Sequence, residues 1–279
     1  MSHWVMVKAC LQSVPDDWSM WVEVFERHGI AGTVQTDEPP TLSGYIAPGD
    51  LPSIPALSEE LIKFGAKSVE QTQVEEIDWA EAWKQYFKPR KVGENLVVCP
   101  TWEEYDPAPN EVVIWLDPGQ AFGTGDHPTT RMCLLLIEKA NVREKDIADI
   151  GCGSGILSVA SGLLGCRSIV AVDTESECVE STLANLSRAN LEASVHRGRG
   201  FDPLAAGITF DVVLSNIISA ALISLAPQVQ SRLRVGGKWI VSGIIHENWP
   251  DVLKRAEQCG FKLDEKLEEG DWVAAVLTL

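Results

Sequence analysis

Asp149-Ile150-Gly151-Cys152-Gly153-Ser154-Gly155-Ile156-Leu157 is the stretch on which the fold turns. The apolar run from Asp146 to Ile150 reads as a buried strand, and Ile156-Leu157 opens a helix. A glycine-rich turn in that context lets backbone approach a nucleotide closely, because glycine carries no Cβ and adopts positive φ freely. In the dinucleotide fingerprint G-x-G-x-x-G the third glycine falls at 156, where this chain has Ile. The spacing here is G-x-G-x-G, and a turn of purely structural use is the alternative at this point.

Outward from the turn, short apolar strands alternate with helices from about Asn95 onward. The strand candidates are Asp146 to Ile150, Ser168 to Asp173, Ser194 to Arg197, Phe210 to Asn216, Lys238 to Gly243, Phe261 to Leu267 and Trp272 to Leu279. That alternation predicts an open, doubly wound α/β sheet, which binds ligands beyond the carboxyl ends of its strands. The last two candidates are separated only by Glu268-Glu269-Gly270-Asp271, too short for a crossover helix, so they form an antiparallel hairpin. A sheet finished in this way is typical of methyltransferases and not of dinucleotide dehydrogenases. The G-x-G-x-G spacing likewise suits a ligand without a pyrophosphate, such as S-adenosylmethionine.

Asp173 ends the strand after the turn, where a carboxylate can accept hydrogen bonds from both hydroxyls of an adenosine ribose. Asn216 ends the fourth candidate strand, and its carbonyl oxygen can accept a hydrogen bond from an incoming amine; a helix N-cap is its bland alternative. The run from Leu116 to Thr130 is rich in glycine and proline and predicts a structured loop held against the sheet, followed by a helix over Met132 to Glu138. His127 in it reads as a residue that shapes the loop. Asp126 and His127 have no further ligand cluster, so no metal is expected.

Residues 1 to 75 carry a β-α-β-β-α-β pattern, the order of a ferredoxin-like split unit. Strands are predicted at Trp4 to Val7, Gly32 to Gln35, Leu42 to Ile46 and Val69 to Val74; helices start near Pro15-Asp16-Asp17 and run near Leu57 to Phe64. Up to Gly65 there are three basic and nine acidic residues, a balance of -6. In the next segment Trp79, Trp83 and Tyr86-Phe87 share one helical face ahead of Pro89, which predicts an inter-domain helix.

The whole chain of 279 residues has 23 basic and 40 acidic residues, a formal charge of -17. Duplex nucleic acid is disfavoured as a partner, because such binding is built on clustered Lys and Arg. At 45% hydrophobic content the chain is expected to fold. No apolar run approaches the about 18 residues of a membrane span, and the first nine residues do not read as a signal peptide, so a cytoplasmic protein is expected. The seven cysteines (10, 99, 133, 152, 166, 178, 259) include no C-x-x-C pair and read as reduced thiols.

Taken together, Asp117-Pro118-Gly119, Ala121-Phe122-Gly123-Thr124-Gly125, His127-Pro128-Thr129-Thr130, Asp149 to Leu157, Asn216-Ile217 and Ser242-Gly243-Ile244 resemble the ribosomal protein L11 methyltransferase family. The likeness covers residues 75 to 279 well and is looser before them. It implies a Rossmann-like class I methyltransferase domain, with a seven-stranded, mostly parallel sheet, preceded by a small ferredoxin-like α+β domain. The expected domains are 1–74 for substrate recognition, 75–94 as linker helix and 95–279 for methyl transfer. The resemblance also implies that Thr130, Gly151, Asp173 and Asn216 contact S-adenosylmethionine; Gly153, Gly155, Phe122 and Thr129 complete the expected cofactor site, and Asn216 is the expected catalytic residue. The expected activity is transfer of methyl groups to lysine ε-amines or the N-terminal α-amine of a basic ribosomal protein, by a monomer with neither DNA nor membrane as partner. The alternatives are methylation of another protein, a nicotinamide-dependent oxidoreductase, and a catalytically silent adenosylmethionine-binding module.

Overall fold

A computed structural model describes residues 4–15, 18–28, 30, 33–37, 39–46, 53–74, 88–117 and 125–279. The chain divides into two compact units, Met1–Tyr86 and Phe87–Leu279.

In the first unit β1 (Trp4–Cys10), α1 (Ser19–Arg27), β2 (Thr33–Asp37), β3 (Pro40–Ile46), α2 (Ile54–Phe64) and β4 (Ser68–Val74) follow in the expected order. The antiparallel sheet runs β2-β3-β1-β4, the ferredoxin-like arrangement. Alternation in β1 sends Val5, Val7 and Ala9 inward, where they meet Val24 and Phe25 of α1 and Leu57 and Leu61 of α2. The predicted helix start at Pro15-Asp16-Asp17 lies ahead of the observed one, which begins at Ser19.

The second unit opens with elements that the alternating pattern did not reveal. Its first three strands are β5 (Arg90–Val92), β6 (Leu96–Pro100) and β7 (Val112–Leu116), which form a separate sheet in that order, antiparallel then parallel. Arg90–Val92 falls within the segment expected as linker helix and pairs instead as a strand; the remainder of that helix, residues 75–87, lies outside the described residues. Glu138, on the following helix α3 (Pro128–Ala140), accepts the backbone N–H groups of Glu94 and Asn95 at 2.8 and 2.7 Å, fixing the β5–β6 turn.

The main sheet is built from β8 (Asp146–Ile150), β9 (Ser168–Asp173), β10 (Ser194–Arg197), β11 (Phe210–Asn216), β12 (Leu233–Ile245), β13 (Lys262–Glu269) and β14 (Trp272–Thr278). Its order is β10-β9-β8-β11-β12-β14-β13. The first five strands are parallel, and β14 is antiparallel to both its neighbours. Gly270-Asp271 joins the closing hairpin, and the observed β12 extends well beyond the predicted Lys238 to Gly243. Helices α4 (Ile156–Leu163), α5 (Ser176–Arg188), α6 (Ser219–Arg232) and α7 (Trp249–Gln258) complete the alternation.

Both faces of this sheet are covered, which is why its central strands send apolar side chains to both sides. Ile147, Leu214 and Ile240 belong to one core with Ile156 and Leu157 of α4 and Met132 and Leu136 of α3. Ala148, Val213 and Val241 belong to the other with Leu222 and Val229 of α6 and Val252 of α7. Trp239 is fully buried there against Phe261, with ring centres 5.3 Å apart, and its Nε1 donates to Ser215 Oγ at 3.2 Å. Removing two such rings from water contributes roughly 4–6 kcal/mol each by area, as an upper bound.

Candidate functional site

The order reversal between β8 and β11 opens a cleft at the carboxyl ends of the strands, where a doubly wound sheet binds its ligands. The cleft holds about 420 Å³, within the range of small-molecule sites. Thr130, Gly151, Gly153, Asp173 and Asn216 all stand in its walls, alongside the apolar Ile150, Val172, Ile217 and Ile218. Residues as far apart in sequence as Thr130 and Ile218 thus meet at one place.

The glycine turn is shaped from both sides. Gly151 has φ +83°, and a Cβ there would come within 2.3 Å of Ile217 Cγ2, so only glycine lets the two strand ends approach. The N–H groups of Gly151 and Cys152 donate to Val172 O at 2.8 and 3.2 Å. Gly155 does not face the cleft. At φ +79° it packs against Thr182 of α5, where a Cβ would lie 3.0 Å from the Thr182 Cα. Its work is to let α4 and α5 close together.

Asp173 is the last residue of β9. Its Oδ2 accepts the Gly153 N–H at 2.9 Å and its Oδ1 accepts the Glu175 N–H at 3.1 Å. Each carboxylate oxygen keeps a further lone pair for a hydroxyl in the cleft. The carboxylate therefore ties the turn in place and remains able to grip a diol.

Asn216 ends β11. The N-cap of the helix that follows is Ile218, with no side-chain capping bond, so Asn216 is not a helix cap. Its Nδ2 donates to Thr130 Oγ1 at 3.4 Å, while its Oδ1 is buried and finds no hydrogen-bond partner among the described residues. A buried acceptor left open costs about 1–3 kcal/mol, and here it sits at the lip of a cleft. Ile217 N–H donates to Ser242 O at 3.2 Å, which fixes the backbone just after Asn216.

On the approach to α3, Thr130 is fully buried and holds Asn216, whereas Thr129 serves the helix start: His127 Nδ1 lies 2.7 Å from Thr129 Oγ1 and 3.4 Å from its N. His127 is the N-cap of α3 and packs edge-on to Trp272 at 4.8 Å. Burial lowers its pKa, and the nearby Arg131 adds to the effect, so the neutral ring that accepts the Thr129 donors is favoured. Arg131 also bonds Asp126 O and Glu269, and Arg90 pairs with Asp126 at 2.9 Å. Phe122 and the rest of 118–124 lie outside the described residues.

Two further residues support the site, to which the sequence reading assigned no role of their own. Asn185 of α5 is 1% exposed, and its Nδ2 donates both to Ser154 O at 2.8 Å and to Asp117 O at 3.2 Å, while its Oδ1 accepts the Asp117 N–H at 3.3 Å. One amide therefore joins the glycine turn to Asp117, just after β7. Asp149 is fully buried under the turn; Ser158 Oγ donates to its Oδ2 at 2.7 Å, and its Oδ1 has no partner among the described residues. Burial pushes its pKa up to about 6, against the pull of Ser158 and with a smaller push from Asp173.

The comparisons with known proteins agree with this geometry. The sequence model described as "Ribosomal protein L11 methyltransferase (PrmA)" matches residues 41–279. A ribosomal protein L11 methyltransferase of Heliobacterium modesticaldum is 36% identical over 290 residues, covering 91% of each chain. One from Clostridium perfringens (strain 13 / Type A) is 40% identical over 224 residues, covering 80% of this chain and 71% of its own. The crystal structure of a ribosomal protein L11 methylase from Lactobacillus delbrueckii subsp. bulgaricus superposes with a TM-score of 0.65 at 30% identity, covering 69% of this chain and 98% of that one. With the glycine turn, the closing hairpin and the Asn216 lip all in place, the chain belongs to the ribosomal protein L11 methyltransferase family.

Proposed function

We propose that this chain transfers methyl groups from S-adenosylmethionine to amines of ribosomal protein L11, at lysine ε-nitrogens, the N-terminal α-nitrogen or both. The observation that carries the reading is the open Oδ1 of Asn216, buried at a cleft that Asp173 also lines. The residues present suit the cofactor: Asp173 for the ribose diol, Gly151 and Gly153 for close backbone approach, and Ile150 and Val172 for the apolar surface of the adenosine. Thr130 reaches the same space beside Asn216. When bound, the cofactor supplies an electrophilic methyl on a sulfonium, and its transfer leaves a neutral thioether.

The chain's own residues then have three tasks. A lysine amine has a pKa of about 10.4 in water and must arrive without its extra proton; the apolar mouth formed by Ile217 and Ile218 disfavours the cation and lowers that pKa. Asn216 Oδ1 accepts an N–H of the neutral amine and so turns its lone pair toward the methyl. Holding the reacting atoms about 3–3.5 Å apart and in line supplies most of the acceleration, and no side-chain nucleophile is required. As the N–C bond forms the S–C bond breaks, and the resulting ammonium releases a proton to solvent before a further methyl is added.

The acidic balance suits a lysine-rich target and supports neither DNA nor membrane as partner. Among the described residues no helix is long and apolar enough to cross a membrane. The proposed setting is the cytoplasm, with the chain acting as a monomer.

The test is incubation of the full chain with methyl-labelled cofactor and purified L11, followed by mass spectrometry of the product. Methylated L11 is expected; a chain that binds S-adenosylhomocysteine yet leaves L11 unmodified refutes the substrate. Calorimetric binding of NAD in place of S-adenosylhomocysteine refutes the cofactor.

A further inference from the structure

Ile218 breaks two local rules at once. It occupies the N-cap of α6, a position where Ser, Thr, Asn or Asp satisfies an otherwise orphaned N–H, and it makes no capping bond. It also holds its side chain 71% exposed. Ten large apolar side chains are exposed among the described residues, and Ile218 alone of them stands in the wall of the cleft. A residue that weakens its helix and wastes apolar surface has no structural reason to be isoleucine, and such local conflicts gather at functional positions.

Its placement is fixed. Ile217, one residue before, packs its Cγ2 over Gly151 and donates its N–H to Ser242 O at 3.2 Å. One residue after, Ser219 is 8% exposed at the start of α6. Ile218 is thereby held at the mouth, two residues from the open Oδ1 of Asn216.

We infer that Ile218 is a specificity-determining residue that lies along the aliphatic stem of a lysine whose ε-amine is aimed by Asn216. The inference rests on the proposed methylation of amines at this site. A lysine entering between solvent and Asn216 presents four methylenes before its nitrogen, and an apolar side chain at the mouth both grips that stem and strips water from the amine. An N-terminal α-amine has no such stem. Ile218 therefore favours lysine over the α-amine as acceptor.

The experiment compares the full-length wild type with Ile218→Ser and Ile218→Val, using L11 as substrate and mass spectrometry to separate lysine from α-amine products. Serine is a better N-cap than isoleucine, so Ile218→Ser is expected to melt at the same or a higher temperature and to bind S-adenosylhomocysteine unchanged. Its kcat/KM for lysine is expected to fall about tenfold, mainly through KM, with the α-amine product less affected and valine restoring most of the loss. Unchanged lysine kinetics in Ile218→Ser beside an active wild type overturns the inference alone. Equal loss at lysine and α-amine also overturns it. A wild type inactive on every L11 amine overturns the reading on which the inference rests, and the inference with it.

Discussion

At the scale of single residues, the proposed roles separate holding the cofactor, at Asp173, from aiming the acceptor, at Asn216. Asp173→Ala removes charge-assisted acceptors worth about 1.5–3 kcal/mol per bond, so calorimetry with S-adenosylhomocysteine is expected to show at least a tenfold rise in Kd. Asn216→Ala is expected to lower kcat more than it weakens cofactor binding, because the proposed main partner of its open Oδ1 is the incoming amine; a fall in cofactor affinity alone would make it a binding residue. Asp149 makes a prediction about stability. Its carboxyl has a pKa of about 6 in the folded chain and about 3.9 when unfolded, so the folded state holds the proton more tightly. Stability from this group is full below about pH 4 and declines as pH rises to 6, after which the cost is constant. Asp149→Asn, which cannot ionise, is expected to flatten that part of the melting-temperature profile. A profile identical to wild type between pH 4 and 6 would show that burial does not raise this pKa. Asp173 and Asn216 were legible from the sequence because each ends a readable strand, whereas Asp149, one residue before the end of β8, reads only as part of the glycine motif.

At the scale of elements, α5 ties the glycine turn to Asp117, just after β7, through Asn185. Asn185→Leu would leave the Ser154 and Asp117 carbonyls and the Asp117 N–H without the partner they now share. A lost hydrogen bond of this kind costs about 0.5–1.5 kcal/mol, and the one to Ser154 O is buried, so the variant is expected to melt at a lower temperature and to gain less thermal protection from S-adenosylhomocysteine than wild type does. Full protection would mean that the loop start finds its place without Asn185. No pattern in the sequence announces this clamp, since its three partners lie 31 to 68 residues from it and the amide sits on the buried side of an ordinary amphipathic helix. The main sheet was legible because strand and helix periods alternate cleanly after Asp146, and the link Glu268-Glu269-Gly270-Asp271 is too short for a crossover helix. The β5–β7 sheet escaped because β5 is three residues long with two exposed, too short to show any period. Pairing with β6, and the grip of Glu138 on the intervening turn, make it a strand where local sequence does not. This is tertiary context overriding propensity.

At the scale of the whole molecule, every described residue that lines the cleft lies at or after Thr130, inside the second unit. The first unit carries a balance of -6 by Gly65, and none of its described residues lines that cleft. Its proposed role is to hold a basic substrate near the site, which raises the local concentration of acceptor amines. A fragment used to test this has to begin at Lys88 and not at Asn95, because β5, the Lys88–Glu103 ion pair at 2.8 Å and the Glu94 contact to Glu138 all belong to the second unit. Such a fragment is expected to bind S-adenosylhomocysteine with about the Kd of the full chain, while its kcat/KM on L11 falls more than tenfold. Raising salt from about 50 to 300 mM shortens the screening length, so it is expected to depress kcat/KM of the full chain on L11 and to change that of the fragment little, since the acidic surface that steers the target has been removed. If the fragment methylates L11 as well as the full chain, with the same salt response, the first unit serves folding or assembly and the acidic surface that draws L11 in belongs to the methyl-transfer unit itself.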